Sequence, residues 1–250
     1  MTENIIQNKG MIAPLQNVAL FNELLDRVMN RKAHLPGLAT FHGPSGYGKT
    51  FSSTYGAHKH NAHYIEVGDS WTRKTFLEKL ITEMGDTPCG SIPNMVGQIE
   101  DILCGIDRPI IIDEFDYVVK KNYVELVREI YNRTHAPMVL IGEERLPIKL
   151  QKWERFHNRI LDWVPAEPLL ETEMRILTRF YAEDVEIADD LLDHAFRVIE
   201  GRARRACVNI SRINEYAQQQ GLSKISLKEW GNRPVYVGKA PMRASTGGRR

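Results

Sequence analysis

Residues Gly43-Pro44-Ser45-Gly46-Tyr47-Gly48-Lys49-Thr50 satisfy every constrained position of the pattern G-x-x-x-x-G-K-[ST]. Such a run captures phosphate. The glycines let the backbone curl until successive N–H groups face an anion, and the helix that follows adds the positive end of its dipole. Lys49 is expected to reach the β- and γ-phosphates of a nucleoside triphosphate and Thr50 to offer its hydroxyl to Mg²⁺, with Phe51 continuing the loop into its helix. Some sixty residues on, Asp113-Glu114 closes the apolar run Ile110-Ile111-Ile112. An Asp at that point can hold Mg²⁺ through its water shell, and a neighbouring Glu can orient and deprotonate a water for attack on the γ-phosphate. The pair favours hydrolysis over transfer to a small-molecule acceptor.

These residues need a scaffold that brings two separate loops to one edge. The phosphate loop follows the apolar run Leu38–Phe41, and further strands are expected over His63–Val67, Pro109–Glu114, Met138–Gly142 and Ile160–Val164. Helical spacing of apolar residues alternates with them, over residues 17–31, Thr75–Ile81, Met95–Leu103 and Tyr123–Asn132. Short apolar strands separated by helices imply a parallel five-stranded sheet covered on both faces, an α/β class. After Pro165-Ala166-Glu167-Pro168 the pattern becomes helical without strands, over Thr172–Tyr181, Ala188–Glu200 and Arg204–Gln219. The expected organisation is a nucleotide-binding core over 1–168, a small helical lid over 169–231, and a basic, flexible tail over 232–250 that has five cations and no acid.

Bulk properties narrow the setting. A chain of 250 residues that is 42% hydrophobic can bury one sizeable core with an appendage. A formal net charge of +1 means that any nucleic-acid surface must come from local clustering. The absence of a ~20-residue apolar run and of a signal-peptide pattern points to a cytoplasmic chain with no membrane partner. Cys89, Cys104 and Cys207 are too scattered for a disulfide framework or a zinc site.

With the phosphate loop, the acid pair and Gly201-Arg202-Ala203-Arg204 opening a lid helix, the chain resembles the AAA+ ATPases. That resemblance implies ATP and Mg²⁺ as ligands, a lid arginine (Arg204) that reads the nucleotide, and an arginine finger that reaches a neighbouring subunit's γ-phosphate. Arg155 and Arg159 are the candidates for the finger; they would share a face if 153–160 is helical, and Arg159, just before the last strand, better fits the family position. One departure stands out: the fourth strand ends in Gly142-Glu143-Glu144 where the family usually has Asn, Ser or Thr. A carboxylate there needs a cation to offset its repulsion of phosphate, which implies slow turnover.

Val139–Pro147 and Arg155–Ile160 further resemble the transposition ATPases of the phage Mu B and TnsC/TniC group. This implies a bacterial or phage-infected cell, a head-to-tail homo-oligomer or filament on double-stranded DNA, little sequence preference, and delivery of that DNA to a transposase. Thr72, Arg73 and Lys74 after the second strand, and Lys120 and Lys121 after the acid pair, are the groups available to contact DNA phosphates. A helicase loader or origin-recognition-type ATPase is the alternative on the same core, and a nucleotide-gated protein adaptor that never meets DNA is another.

Overall fold

The computed structural model describes residues 15–238. They fall into two compact units that divide between Glu167 and Pro168.

The first unit opens with helix α1 (Gln16–Met29), whose Phe21, Leu24, Leu25 and Val28 are fully buried at the helical spacing of one apolar face. Strand β1 (Leu38–His42) leads into the phosphate loop and helix α2 (Lys49–His60). There follow β2 (His63–Glu66), α3 (Arg73–Glu83), α4 (Ile92–Leu103), β3 (Ile110–Asp113), α5 (Asp116–Lys120), α6 (Val124–Thr134), β4 (Met138–Gly142), α7 (Leu146–Leu150), α8 (Glu154–His157) and β5 (Ile160–Pro165). The five strands form one parallel sheet in the order β2-β3-β4-β1-β5. It is the expected α/β core.

Alternation along the strands explains their continuous apolar runs. Ile110 and Ile112 of β3, with Met138 and Leu140 of β4, point into a core shared with α3, α4 and α6. Ile111, Val139 and Ile141 point the other way, onto Phe21, Leu24 and Leu25 of α1. Every residue of β3 and β4 is therefore buried, on one face or the other.

The segment carrying Arg155 and Arg159 is helical only in part. Helix α8 lasts only four residues, and Arg159 lies beyond it, its carbonyl accepting from Leu38 N–H at 3.1 Å as β5 begins to pair with β1. Strand pairing wins over helix continuation, so the two arginines share no helical face.

The second unit holds α9 (Glu171–Tyr181), β6 (Glu186–Ile187), α10 (Asp189–Ile199), α11 (Ala203–Gln219), β7 (Lys224–Ile225) and α12 (Leu227–Trp230). Met174, Leu177, Leu191, Ala195, Ile210 and Ile213 build its own core. The expectation of helices alone is corrected by the parallel pair β6-β7, whose two-residue strands are too short to carry a readable period. Order also extends into the stretch expected as a loose tail: the Arg233 guanidinium lies 3.9 Å over the Tyr216 ring, and Asn209 accepts from Tyr236 N–H at 2.7 Å. Residues 239–250, the rest of that tail, lie outside the described residues. Among the described residues no helix is long and apolar enough to cross a membrane.

Candidate nucleotide-binding site

The phosphate loop leaves β1 at the carboxyl edge of the sheet. Gly46 and Gly48 adopt φ of 88° and 87°, a left-handed backbone that a side chain resists, and this curl turns the loop back on itself before α2. The Lys49 ammonium donates to the Gly43 and Pro44 carbonyls at 2.7 and 3.0 Å, inside the ring of backbone that would surround a phosphate. Burial lowers the Lys49 pKa, opposed by the charges of Asp113, Glu114, Asp116 and Glu143. His42, at the end of β1, is likewise shifted down by burial and by Lys49, which favours the neutral imidazole beside the loop. Ser45 and Tyr47 occupy the loop between the glycines, and Phe51 follows Thr50 in the first turn of α2.

Asp113 ends β3 almost fully buried. Its Oδ2 accepts from the Thr50 hydroxyl and from the Tyr64 hydroxyl, each at 2.9 Å, and its Oδ1 accepts from Glu114 N–H at 2.7 Å. Burial and the adjoining carboxylate together raise the Tyr64 phenol, keeping it a donor. Tyr64 was not foreseen; its place one strand over from Asp113 follows from the β2–β3 pairing. Glu114 takes φ of 54°, an uncommon conformation for a non-glycine residue, and turns out of the strand into α5. Burial first, then Asp113 and Glu66, raise its pKa.

Thr50 and Asp113 form the oxygen pair that Mg²⁺ would need. No group of three or more His, Cys, Asp or Glu able to hold a metal is present among the described residues, but Mg²⁺ in sites of this kind takes only one or two protein oxygens beside phosphate and water. The donor set fits the ion.

Strand β4 lies between β1 and β3, so its tip stands between the phosphate loop and the acid pair. Gly43 N–H donates to the Gly142 carbonyl at 3.3 Å and Phe115 N–H to the Ile141 carbonyl at 2.8 Å, one contact from each side. Asp116 fixes this tip: its Oδ2 accepts from Glu143 N–H at 2.6 Å, and a Cβ at Gly142 would collide with that carboxylate. Lys149 of α7 bridges the acids, with Nζ 2.6 Å from Asp116 Oδ1 and 2.8 Å from Glu143 Oε2. Hydrogen bonding to Lys149 holds Glu143 below the usual carboxylate range. The cation that this strand end requires is thus a lysine six residues downstream, and only the return of α7 places it there.

The remaining candidates are dispersed. Arg159 precedes β5 at the amino edge of the sheet, a strand length of about 16 Å at roughly 3.3 Å per residue from the edge that carries the phosphate loop. Its Nε donates to Asn132 of α6 at 3.2 Å. Arg155 sits on α8. Arg204 is exposed on the first turn of α11 with no ion-pair partner among the described residues, while neighbouring Arg205 binds Glu200 at 2.7 Å.

The two basic loops do meet. Arg73 donates to the Asn122 carbonyl at 2.9 Å, and Lys120 pairs with Asp69 at 2.9 Å. Thr72 caps α3 by accepting from Thr75 N–H at 3.1 Å, Lys74 lies 3.8 Å from Glu78, and Lys121 is exposed at the end of α5.

Comparison with known proteins agrees with this geometry. The AAA domain family matches residues 31–150, and the chain contains an AAA-type ATPase domain. Such a domain implies nucleotide binding, typically with Mg²⁺, and nucleotide hydrolysis. Similar solved structures include the Aeropyrum pernix ORC2 protein in its ADPNP–ADP complexes, with a TM-score of 0.66 and 16% identity over 90% of this chain and 69% of that one. The ORC1 protein of the same organism in complex with DNA gives 0.65 and 17%, over 88% and 65%. Cdc6p from Pyrobaculum aerophilum gives 0.67 and 14%, over 89% and 68%. At these identities the likeness is one of fold, and the chain spans about two-thirds of each of those chains. No curated protein matches the sequence.

Proposed function

We propose that this chain is an ATP-switched ATPase that assembles head to tail on duplex DNA without reading its bases, with a task of the origin-recognition or helicase-loader type. The observation that carries the reading is the convergence of Lys49, Thr50, Asp113 and Glu114 at one sheet edge, beside basic loops joined by the Arg73–Asn122 contact. The similar folds of the ORC1 and ORC2 proteins, the first of them in complex with DNA, support this task over others.

In this reading Lys49 exchanges its loop carbonyls for β- and γ-phosphate oxygens, and backbone N–H groups of Gly43–Gly48 surround the same charge. Thr50 and Asp113 would hold Mg²⁺, which supplies neutralisation of the phosphates. Glu114 accepts a proton from the attacking water, and its raised pKa matches the work of a base better than an ordinary glutamate would. Arg159, on the opposite edge from its own nucleotide, acts on a neighbour's. ATP thereby becomes part of the subunit junction, and hydrolysis loosens an assembly that need not close.

A second reading, delivery of target DNA to a transposase, rests on the resemblance of Val139–Pro147 and Arg155–Ile160 to the Mu B and TnsC group. The ATPase and DNA steps are common to both.

The test is duplex-DNA binding with and without ATP across a salt titration. Binding that needs ATP, is lost in Lys49→Ala and falls steeply with salt is expected. Salt-independent or absent binding would leave the protein-adaptor function in its place. Capture of a replicative helicase as against a transposase then separates the two tasks.

A further inference from the structure

Outside the nucleotide site, one open cleft of about 700 Å³ lies between the end of α5, helix α7 and the segment leading to α8. Its lining includes Lys120, Asn122, Arg145, Lys149, Lys152 and Trp153. Four cations from three separate elements thus face one space. Lys149 is committed to Asp116 and Glu143, and Lys120 to Asp69. Arg145 and Lys152 are exposed and have no acidic partner within ion-pair distance among the described residues. Nothing in the fold requires two unpartnered cations on the rim of a cleft, and each keeps its charge free for a ligand.

We propose that this cleft is a second phosphate track, in which Arg145 and Lys152 hold the backbone of the bound DNA as it leaves the basic loops at 72–74 and 120–121. The proposal rests on the DNA reading above. Lys120 belongs both to those loops and to the cleft wall, and the Arg73–Asn122 hydrogen bond ties the loops to the same rim, which makes the basic surface continuous. The Lys120–Asp69 pair is exposed on both sides and solvent weakens it, so a phosphate can replace Asp69 with little loss. Trp153 packs back against the core, so the charged part of the wall is made by the four cations. Cations of this kind neutralise phosphates, contacts that position a duplex without reading its sequence.

An acidic peptide would be the other polyanion of the right charge. Continuity with the basic loops favours DNA, because a short peptide would leave that half of the surface unused.

The experiment is the salt dependence of binding to a duplex oligonucleotide of arbitrary sequence, with ATP, for wild type, Arg145→Ala/Lys152→Ala and Arg145→Lys/Lys152→Arg. Both residues are exposed, and thermal melting checks that the fold survives. Loss of two phosphate contacts should make the slope of log affinity against log salt shallower by roughly 1.8, and the charge-keeping pair should restore it. If the alanine pair keeps the wild-type slope while Thr72→Ala/Arg73→Ala/Lys74→Ala flattens it, the cleft is not a DNA track although the DNA reading stands. Wild type with no salt-dependent duplex binding would overturn both.

Discussion

Asn17 and Glu167 hold each other at both ends of one side-chain amide: Asn17 Nδ2 donates to the Glu167 carbonyl and Asn17 Oδ1 accepts from Glu167 N–H, each at 2.8 Å. The same Nδ2 donates to the Tyr47 carbonyl, also at 2.8 Å, so helix α1, the phosphate loop and the last residue of the first unit meet at one buried group. Asn17→Ala strands two carbonyls and one N–H. We expect a stability loss of about 1–3 kcal/mol in thermal or urea unfolding, with weaker nucleotide binding in proportion to the freedom the loop gains. Nucleotide affinity unchanged in a folded Asn17→Ala protein would show that Tyr47 is held by the glycine turns alone.

A second prediction concerns the charge at the tip of β4. Lys149→Met leaves Asp116 and Glu143 negative beside the bound phosphates. ATP should bind on the order of tenfold more weakly, the effect of one uncompensated charge at the effective dielectric of a protein surface. Glu143→Gln in the same chain should recover most of the loss. Isothermal titration of the single and double variants measures the coupling, and additive effects would mean that Lys149 does not shield the site.

Glu114→Gln removes the base but keeps the shape of the β3 end. Hydrolysis should fall by roughly 10²–10⁴ while ATP and DNA binding persist. Assemblies formed by this variant should outlive those of the wild type, and light scattering after dilution would follow their decay. An unchanged decay rate would detach disassembly from hydrolysis.

The raised pKa of Glu114 also sets a pH dependence. Because burial and the charges of Asp113 and Glu66 favour its protonated form, the base is lost as pH falls through a value above that of an ordinary glutamate, about 4.3. The acid limb of kcat/KM, which reports the free enzyme, should therefore lie above that value. Glu66→Gln removes one raising charge and should move the limb to lower pH. A limb that stays in place would assign it to another group.

Much of the core was legible because its residues obey short-range rules. Ile110-Ile111-Ile112 reads as a strand buried on both faces, and the Gly-Lys-Thr run reads as a phosphate loop, each within ten residues. What the sequence could not give were relations made by return of the chain. Lys149 reaches Glu143 only because α7 folds back over the β4 tip, and Asn17 reaches Tyr47 and Glu167 across separations of 30 and 150 residues. Whether 153–160 is helical throughout was left open by the sequence for a related reason: pairing of β5 with β1, from more than a hundred residues away, ends α8 before Arg159.

That ending places Arg159 at the sheet edge opposite its own phosphate loop, and the geometry makes a specific claim about subunits. An arginine acting in trans should be dispensable for binding ATP to an isolated subunit and needed only once subunits assemble. Arg159→Ala should leave nucleotide affinity at low protein concentration unchanged and abolish the rise in ATPase rate with concentration, by a factor on the order of 10³ if it stabilises transferring phosphate as such arginines do. Mixing Arg159→Ala with Lys49→Ala subunits, each inactive alone, should restore activity, because a mixed junction can pair an intact loop with an intact arginine. Failure of the mixture to recover any rate, with assembly confirmed by sedimentation, would remove Arg159 from the site and turn attention to Arg155 on α8.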